Sequence, residues 1–144
     1  MNRALLRRSA VAAALIVFVA GFGVFAKDGG NEKLEEQMSV FRRTTRALGK
    51  SIGDKSKTAE SLQGILAMQE AAQKAKLLEP SKAKGLEGKE KEEFIRGFRS
   101  EMIELQEQLL KIESHLVKGE NDKAKEAFQG LRGIQKEGHQ RYKD

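Results

Sequence analysis

The sequence contains no cysteine and no tryptophan, and it has only one proline and one tyrosine in 144 residues. Without cysteine the chain cannot form a disulfide, so in an oxidising compartment its stability must come from packing. The same absence excludes thiolate metal sites, iron–sulfur clusters and the Cys-x-x-Cys-His attachment of a covalent haem. No stretch alternates apolar and polar residues with a period of two, and β-branched residues are scarce. The chain is therefore predicted to be all-α.

The N-terminal segment has the composition of a targeting sequence. Arg3, Arg7 and Arg8 precede an apolar and glycine run over residues 10–25, and Val24-Phe25-Ala26 offers a peptidase cleavage site. This pattern predicts a signal peptide over residues 1–26, cleaved after Ala26, and therefore an exported protein. The alternative is an uncleaved single-span anchor, since the apolar run is nearly long enough to cross a bilayer.

A strong charge of one sign is absent from the predicted mature chain. The whole chain carries a net charge of +6, with 27 basic and 21 acidic residues, and three of the basic residues belong to the signal peptide. The mature part is therefore +3, and its Lys and Arg residues alternate with Glu, as on solvated helix faces. We expect no nucleic-acid partner, no membrane association after cleavage, and a monomer, with a dimer as the alternative.

Residues 27–31 are predicted to be a linker, and residues 32–144 a single domain of four amphipathic helices. The helices are recognised by apolar residues that recur every three or four positions. The first stripe is Leu34, Met38, Phe41, Thr45, Leu48 and Ile52, with Asn31 as the expected N-cap. The second is Leu62, Ile65, Met68, Ala72 and Ala75, widened by Leu66. The third is Phe94, Phe98, Met102, Leu105, Leu109, Ile112 and Leu116, widened by Ile95, Ile103, Leu110 and Val117. The fourth is Ala124, Ala127, Phe128, Leu131, Gln135, Gly138 and Tyr142.

The breaks between these stripes are short, except after the second helix. Pro80 ends that helix near Leu78, and Glu79 to Gly88 is expected to be the longest connection. Gly119 suits a C-terminal left-handed position and Asp122 an N-cap, so a tight turn is expected between the last two helices. Four amphipathic helices with short links predict an antiparallel up-down-up-down four-helix bundle.

In that topology Met38, about 10 Å into the first helix, and His139, near the end of the fourth, can face each other across the core. Each residue also has an ordinary interpretation: Met38 as core packing, and His139 as a solvated or capping residue at a helix C-terminus. One thioether and one imidazole suit neither zinc nor magnesium. They are a complete axial set for haem iron. A di-iron centre is not indicated, because the chain has no Glu-x-x-His motif.

Aromatic residues are few in the predicted mature chain, and Phe41, Phe94, Phe98 and Phe128 are four of them. Phe94 and Phe98 can be core aromatics. Together with the small Gly138 beside the histidine, they can instead leave room for a flat ligand. No nucleophile–base pair is present, so no enzymatic activity is predicted.

The chain resembles the soluble cytochrome b562 family from Leu34 to Lys143. No single motif is highly specific, but their order and spacing together are. The matching segments are Leu34-Glu35-Glu36-Gln37-Met38, Pro80, Phe94-Ile95-Arg96-Gly97-Phe98, Gly119 followed by residues 124–127, and Gly138-His139-Gln140-Arg141-Tyr142. The chain departs from the family pattern at Thr45, where an aliphatic residue is expected, and at the helix glycines Gly133 and Gly138.

The resemblance implies a periplasmic electron-transfer protein that binds one non-covalent haem b. Carried over to this sequence, the axial ligands are Met38 and His139, and Phe94 and Phe98 line the haem pocket. The redox partner is not indicated. The alternative is a haem-free periplasmic helical bundle that acts as a binding or stress-adaptor protein, which the charge-dense surface also permits.

Overall fold

A computed structural model describes residues 30–143, and within this range the chain forms four α-helices and no strand. They are α1 (Gly30–Ser51), α2 (Thr58–Ala75), α3 (Gly88–Val117) and α4 (Asn121–Tyr142). The prediction of an all-α protein with four helices is confirmed. The predicted signal peptide and the first residues of the predicted linker lie outside the described residues. Helix α1 begins at Gly30, so Asn31 lies inside the helix and does not cap it.

The connections follow the turn-forming residues of the sequence. Asp54 caps a short 3₁₀ turn, Lys55–Lys57, by accepting a hydrogen bond from the Ser56 backbone N–H. After α2, Pro80 precedes a second 3₁₀ turn at Ser81–Gly85. Gly119 has a φ of +71°, the left-handed conformation that glycine adopts without a Cβ clash. Helix α4 then begins at Asn121, one residue before the predicted N-cap.

The predicted apolar stripes form one buried core. Every stripe residue is buried or half-buried in the structure, and the predicted core methionines Met68 and Met102 are both buried. Four of the residues expected to widen these stripes do not belong to the core. They are large hydrophobic residues that remain exposed: Leu66, Ile103, Leu110 and Val117. Each lies beyond the edge of its stripe, where neither neighbouring helix covers it.

Consecutive helices pack against each other, and polar side chains cross-link them at their edges. Gly64 allows α2 to approach α1 closely, since a Cβ at this position would lie 3.1 Å from a methyl carbon of Leu48. Between α3 and α4, the Gln108 side chain donates to the Ala127 carbonyl at 2.7 Å. The buried Asn121 side chain donates to the Ile52 carbonyl at 3.1 Å. The start of α4 is therefore fixed against the end of α1.

Among the described helices, none combines the length and the apolar character that a membrane span requires.

Candidate functional site

A cavity of about 390 Å³ lies between α1, α3 and α4 and has Met38 and His139 in its walls. Its volume falls in the range of about 300–1,000 Å³ that is usual for ligand pockets. A smaller adjacent cavity of about 60 Å³ also has Met38 and His139 in its walls. Five residues line both cavities: Met38, Phe98, Gly138, His139 and Tyr142. The structure therefore brings the two residues singled out as ligands to one site.

The two side chains differ in their surroundings. Met38 is half-buried on the apolar stripe of α1, and His139 is exposed in the last turns of α4. Within residues 30–143, no protein hydrogen bond engages the His139 ring. Gly138 lines both cavities and has no side chain that could fill them. A Cβ at this position would lie 3.4 Å from a carboxylate oxygen of Glu101. The imidazole is thus available to a ligand in the cleft.

Two of the four predicted site residues are aromatic, and only one of them lines the cavities. Phe98 is buried and lines both cavities. Phe94 is half-buried and is not part of either wall. It packs edge-on against Tyr142, with ring centroids 5.1 Å apart, and Phe98 makes a similar contact at 5.2 Å. In this structure Phe94 supports the pocket from behind Tyr142.

Tyr142 fixes the C-terminal turn that carries His139. The residue is 7 % exposed, and its ring packs against Phe94 and Phe98 of α3. Burial raises the pKa of the Tyr142 hydroxyl, which keeps it protonated. Next to it, the Arg141 guanidinium donates to the Glu101 carboxylate on α3. Lys82, in the connection before α3, donates to the Gln140 carbonyl at 3.4 Å. These contacts hold the histidine-bearing turn against the rest of the fold.

The cavity has an apolar floor and a basic rim. Buried Phe41, Phe98, Met102 and Leu105 form the apolar part, and Arg42, Arg46 and Arg132 are exposed at the rim. Arg42 donates to Glu35 at 2.7 Å, and this hydrogen bond is the main cause of the lowered pKa of Glu35. Glu101 is the only acidic residue in this wall, and Arg141 neutralises it. The cavity therefore suits a ligand with an apolar body and negatively charged groups at its edge.

Several of these residues were not singled out from the sequence. Arg46 lies two helical turns after Met38, and Gln135 and Arg132 lie one and two turns before His139, so the helical period could have indicated them. Thr45, the polar interruption of the first stripe, also lines the cavity. It accepts a hydrogen bond from the Gln135 side chain at 3.3 Å. This pairing explains why a polar residue is tolerated on the stripe.

A cluster of three or more His, Cys, Asp or Glu residues that could hold a bare metal ion does not occur between residues 30 and 143. The second histidine, His115, lies in the last turn of α3 and contacts Glu120, with 2.8 Å between Nδ1 and Oε2. It is partly buried. Met38 and His139 alone would leave most coordination positions of a bare ion unfilled. The donor set fits a metal whose other ligands come from a planar macrocycle.

The fold and this cleft define a class: an all-α, four-helix protein with a cofactor-sized pocket that presents one thioether and one imidazole. A family model described as cytochrome b562 matches residues 33–143, and the chain belongs to the cytochrome b562 family. Proteins of this family are haem-binding helical bundles that transfer electrons and are not typically enzymes. Searches of curated proteins and of solved structures gave no significant match.

Proposed function

We propose that this protein binds one non-covalent haem b in the larger cavity, with Met38 and His139 as the axial ligands, and transfers electrons in the periplasm. The observation that carries the proposal is that these two side chains, from the first and last helices, line the same two adjoining cavities. Membership of the cytochrome b562 family supports the cofactor.

The donor types favour electron transfer over catalysis. Haem supplies a one-electron couple, and its four equatorial bonds come from the porphyrin. If both axial positions are filled by Met38 and His139, no position is left for oxygen or a substrate. A thioether ligand also raises the reduction potential. The apolar floor, with Phe98 and Met102 buried beside the ligands, would exclude water from one side of the cleft.

We also infer the antiparallel up-down-up-down order of the bundle. Its support is the position of the helix ends. Tyr142, at the end of α4, packs on Phe94 and Phe98 near the start of α3. Asn121, at the start of α4, is hydrogen-bonded to Ile52, just after the end of α1. This order puts Met38 and His139 at the same end of the bundle.

The basic rim gives the haem a preferred orientation in this proposal. Haem b carries two propionates, and Arg42, Arg46 and Arg132 would face them at the mouth of the cavity. Arg42 is already paired with Glu35, so Arg46 and Arg132 are the stronger candidates. Because exposed ion pairs contribute about 0.2–1 kcal/mol, each arginine–propionate pair would change haem affinity by at most about fivefold.

Titration of the haem-free mature protein with haem tests the cofactor and the rim together. We expect saturation at one haem per chain. Arg46→Gln and Arg132→Gln should each weaken haem binding by up to about fivefold. With haem dimethyl ester, which lacks the propionate charges, the variants and the unchanged protein should bind equally well. Arg99→Gln, an exposed arginine of α3 outside the cavity wall, is the matched control. Absence of saturable one-to-one binding would favour the haem-free helical bundle instead.

Export is supported by the three N-terminal arginines, the apolar run over residues 10–25 and Ala26, and proteins of the family are periplasmic. We expect the protein expressed from its full sequence in a bacterium to be recovered from the periplasm with Lys27 as its first residue. Intact mass spectrometry of the periplasmic fraction checks this. A full-length mass in the membrane fraction would show an uncleaved anchor.

A further inference from the structure

The large hydrophobic residues that remain exposed in residues 31–143 lie on one side of the molecule. There are five, with exposed fractions from 46 % to 70 %: Leu66 and Leu77 on or just after α2, and Ile103, Leu110 and Val117 on α3. We call this surface the α2–α3 face. Single exposed hydrophobic residues scattered over a surface need no explanation, whereas a contiguous group marks an interaction site.

Two hydrogen bonds between α2 and α3 indicate that these residues lie on the same side of the molecule. Gln106 on α3 donates to Gln73 on α2 at 3.0 Å, and Gln69 on α2 donates to Glu113 on α3 at 2.7 Å. These bonds close the outer edge of the α2–α3 contact. Residues three or four positions apart lie on the same side of a helix. Leu110 and Val117 follow Gln106 and Glu113 by four positions, and Ile103 precedes Gln106 by three.

The same spacing applies on α2. Leu66 precedes Gln69 by three positions, so it lies along the outer edge of the same contact. Leu77 follows the last residue of α2 by two positions and is exposed. Helix α4 packs on the other flank of α3, where Gln108 donates to the Ala127 carbonyl. The face is thus covered by none of the described helices. None of the five exposed residues lines the larger cavity, whose walls come from α1, α3 and α4.

We propose that the α2–α3 face binds a second copy of this chain, with the two α3 helices antiparallel about a twofold axis at Leu110. Ile103 and Val117 each lie seven residues from Leu110. Only an antiparallel pairing centred on Leu110 therefore places Ile103 of each copy beside Val117 of the other. Such a seven-residue repeat of apolar residues suits the shallow crossing of two helices. The apolar stripe would be about 21 Å long, from its rise of 1.5 Å per residue.

The charges beside the stripe match this pairing. Glu104 follows Ile103 and Lys118 follows Val117, and both are exposed. In the antiparallel arrangement, Glu104 of each copy lies within about 3 Å, measured along the helix axis, of the level of Lys118 of the other, which allows two symmetric ion pairs. A parallel arrangement would place like charges together. Lys111, which follows Leu110, lies near Lys111 of the other copy close to the twofold axis. Glu107, one helical turn before Lys111, provides a negative charge beside this pair.

The mass of the haem-loaded mature protein, measured by sedimentation over a concentration series, tests the proposal. We expect twice the mass of one chain at high concentration. Leu110→Glu should raise the dissociation constant at least about tenfold, because each copy loses a buried leucine and gains a carboxylate at the axis. Gln129→Glu, at an exposed position of α4, is the matched control and should leave the dissociation constant unchanged.

A charge exchange tests the register. Glu104→Lys and Lys118→Glu should each weaken the dimer, and the double variant should restore it, because it re-forms both ion pairs with reversed signs. Leu110 is exposed in the single chain, so Leu110→Glu should keep its thermal unfolding midpoint, which separates loss of the interface from loss of the fold. A monomer at all concentrations would overturn the proposal, as would a dimer that survives Leu110→Glu. A monomer that binds anionic or neutral lipid vesicles through Leu110 would also overturn it, by assigning the face to a membrane surface.

Discussion

Replacing His139 with alanine is expected to abolish the low-spin six-coordinate spectrum of the haem-loaded protein and to weaken haem binding at least about 100-fold. The imidazole is the stronger of the two proposed axial donors, and even the outer-shell partners of metal ligands are worth about 10–100-fold in affinity. His139 is exposed, and no protein hydrogen bond within the described part of the chain engages its ring. Its removal should therefore leave the stability of the haem-free fold nearly unchanged. Haem titration and absorption spectra measure the first effect, and thermal unfolding measures the second.

Met38→Leu tests the other ligand, since leucine keeps the apolar volume on the α1 stripe but provides no sulfur donor. We expect a five-coordinate or water-ligated spectrum, a lower reduction potential because the thioether raises it, and a smaller loss of affinity than for His139→Ala. Met68→Leu and His115→Ala are the matched controls, because these residues are remote from the cavity walls. If a low-spin six-coordinate spectrum survives both Met38→Leu and His139→Ala, the ligand assignment is wrong.

Tyr142→Ala is expected to destabilise the haem-free protein by about 3 kcal/mol and to weaken haem binding. This value is the lower end of the range of about 3–5 kcal/mol for removing a core aromatic side chain, since Tyr142 lies in the last turn of α4. The substitution also removes two edge-to-face contacts, with Phe94 and Phe98. Without them the turn that carries His139 loses its attachment to α3. Chemical unfolding and haem titration measure the two effects, and Tyr142→Phe, which keeps the ring, should cost little in either.

Gly97 provides an independent check on the position of the tyrosine. A Cβ on Gly97 would lie 3.0 Å from the Tyr142 hydroxyl oxygen, so Gly97→Ala should destabilise the protein by about 1–2 kcal/mol despite the better helix propensity of alanine. In a Tyr142→Phe background the hydroxyl is absent, and Gly97→Ala should instead stabilise the protein by up to about 1 kcal/mol. A double-mutant cycle measured by chemical unfolding gives the coupling free energy between positions 97 and 142. Equal effects in both backgrounds would show that the tyrosine does not occupy this place.

The sequence predicted the helical part of the fold because local periodicity determines it. Apolar residues at helical spacing indicated four helices and nearly all of their buried residues, and Pro80 and Gly119 indicated where the chain turns. Helix starts were less certain. Asn31 and Asp122 were expected to be N-caps, but both lie inside helices that begin one residue earlier. Capping depends on the local backbone conformation, which residue type alone does not fix.

The width of each buried face could not be predicted from the pattern. Leu66, Ile103, Leu110 and Val117 extend their stripes in sequence, yet all four are exposed. Whether a residue at the edge of a stripe is covered depends on the angle at which the next helix crosses, and that angle results from the packing of the whole bundle. The same holds for Phe94, which the sequence places beside Phe98 and the structure places behind Tyr142.

The sequence by itself therefore determined the all-α class, the number of helices, the absence of thiolate chemistry and the two side chains, Met38 and His139, that suit an axial pair. Each follows from residue type or from spacing within one helix. Only the tertiary structure decided that Met38 and His139 line one cavity, that three arginines rim it, and that Tyr142 holds the histidine turn. These are contacts between different helices, some neighbouring in the chain and some from its two ends. They depend on how the helices pack rather than on any local pattern.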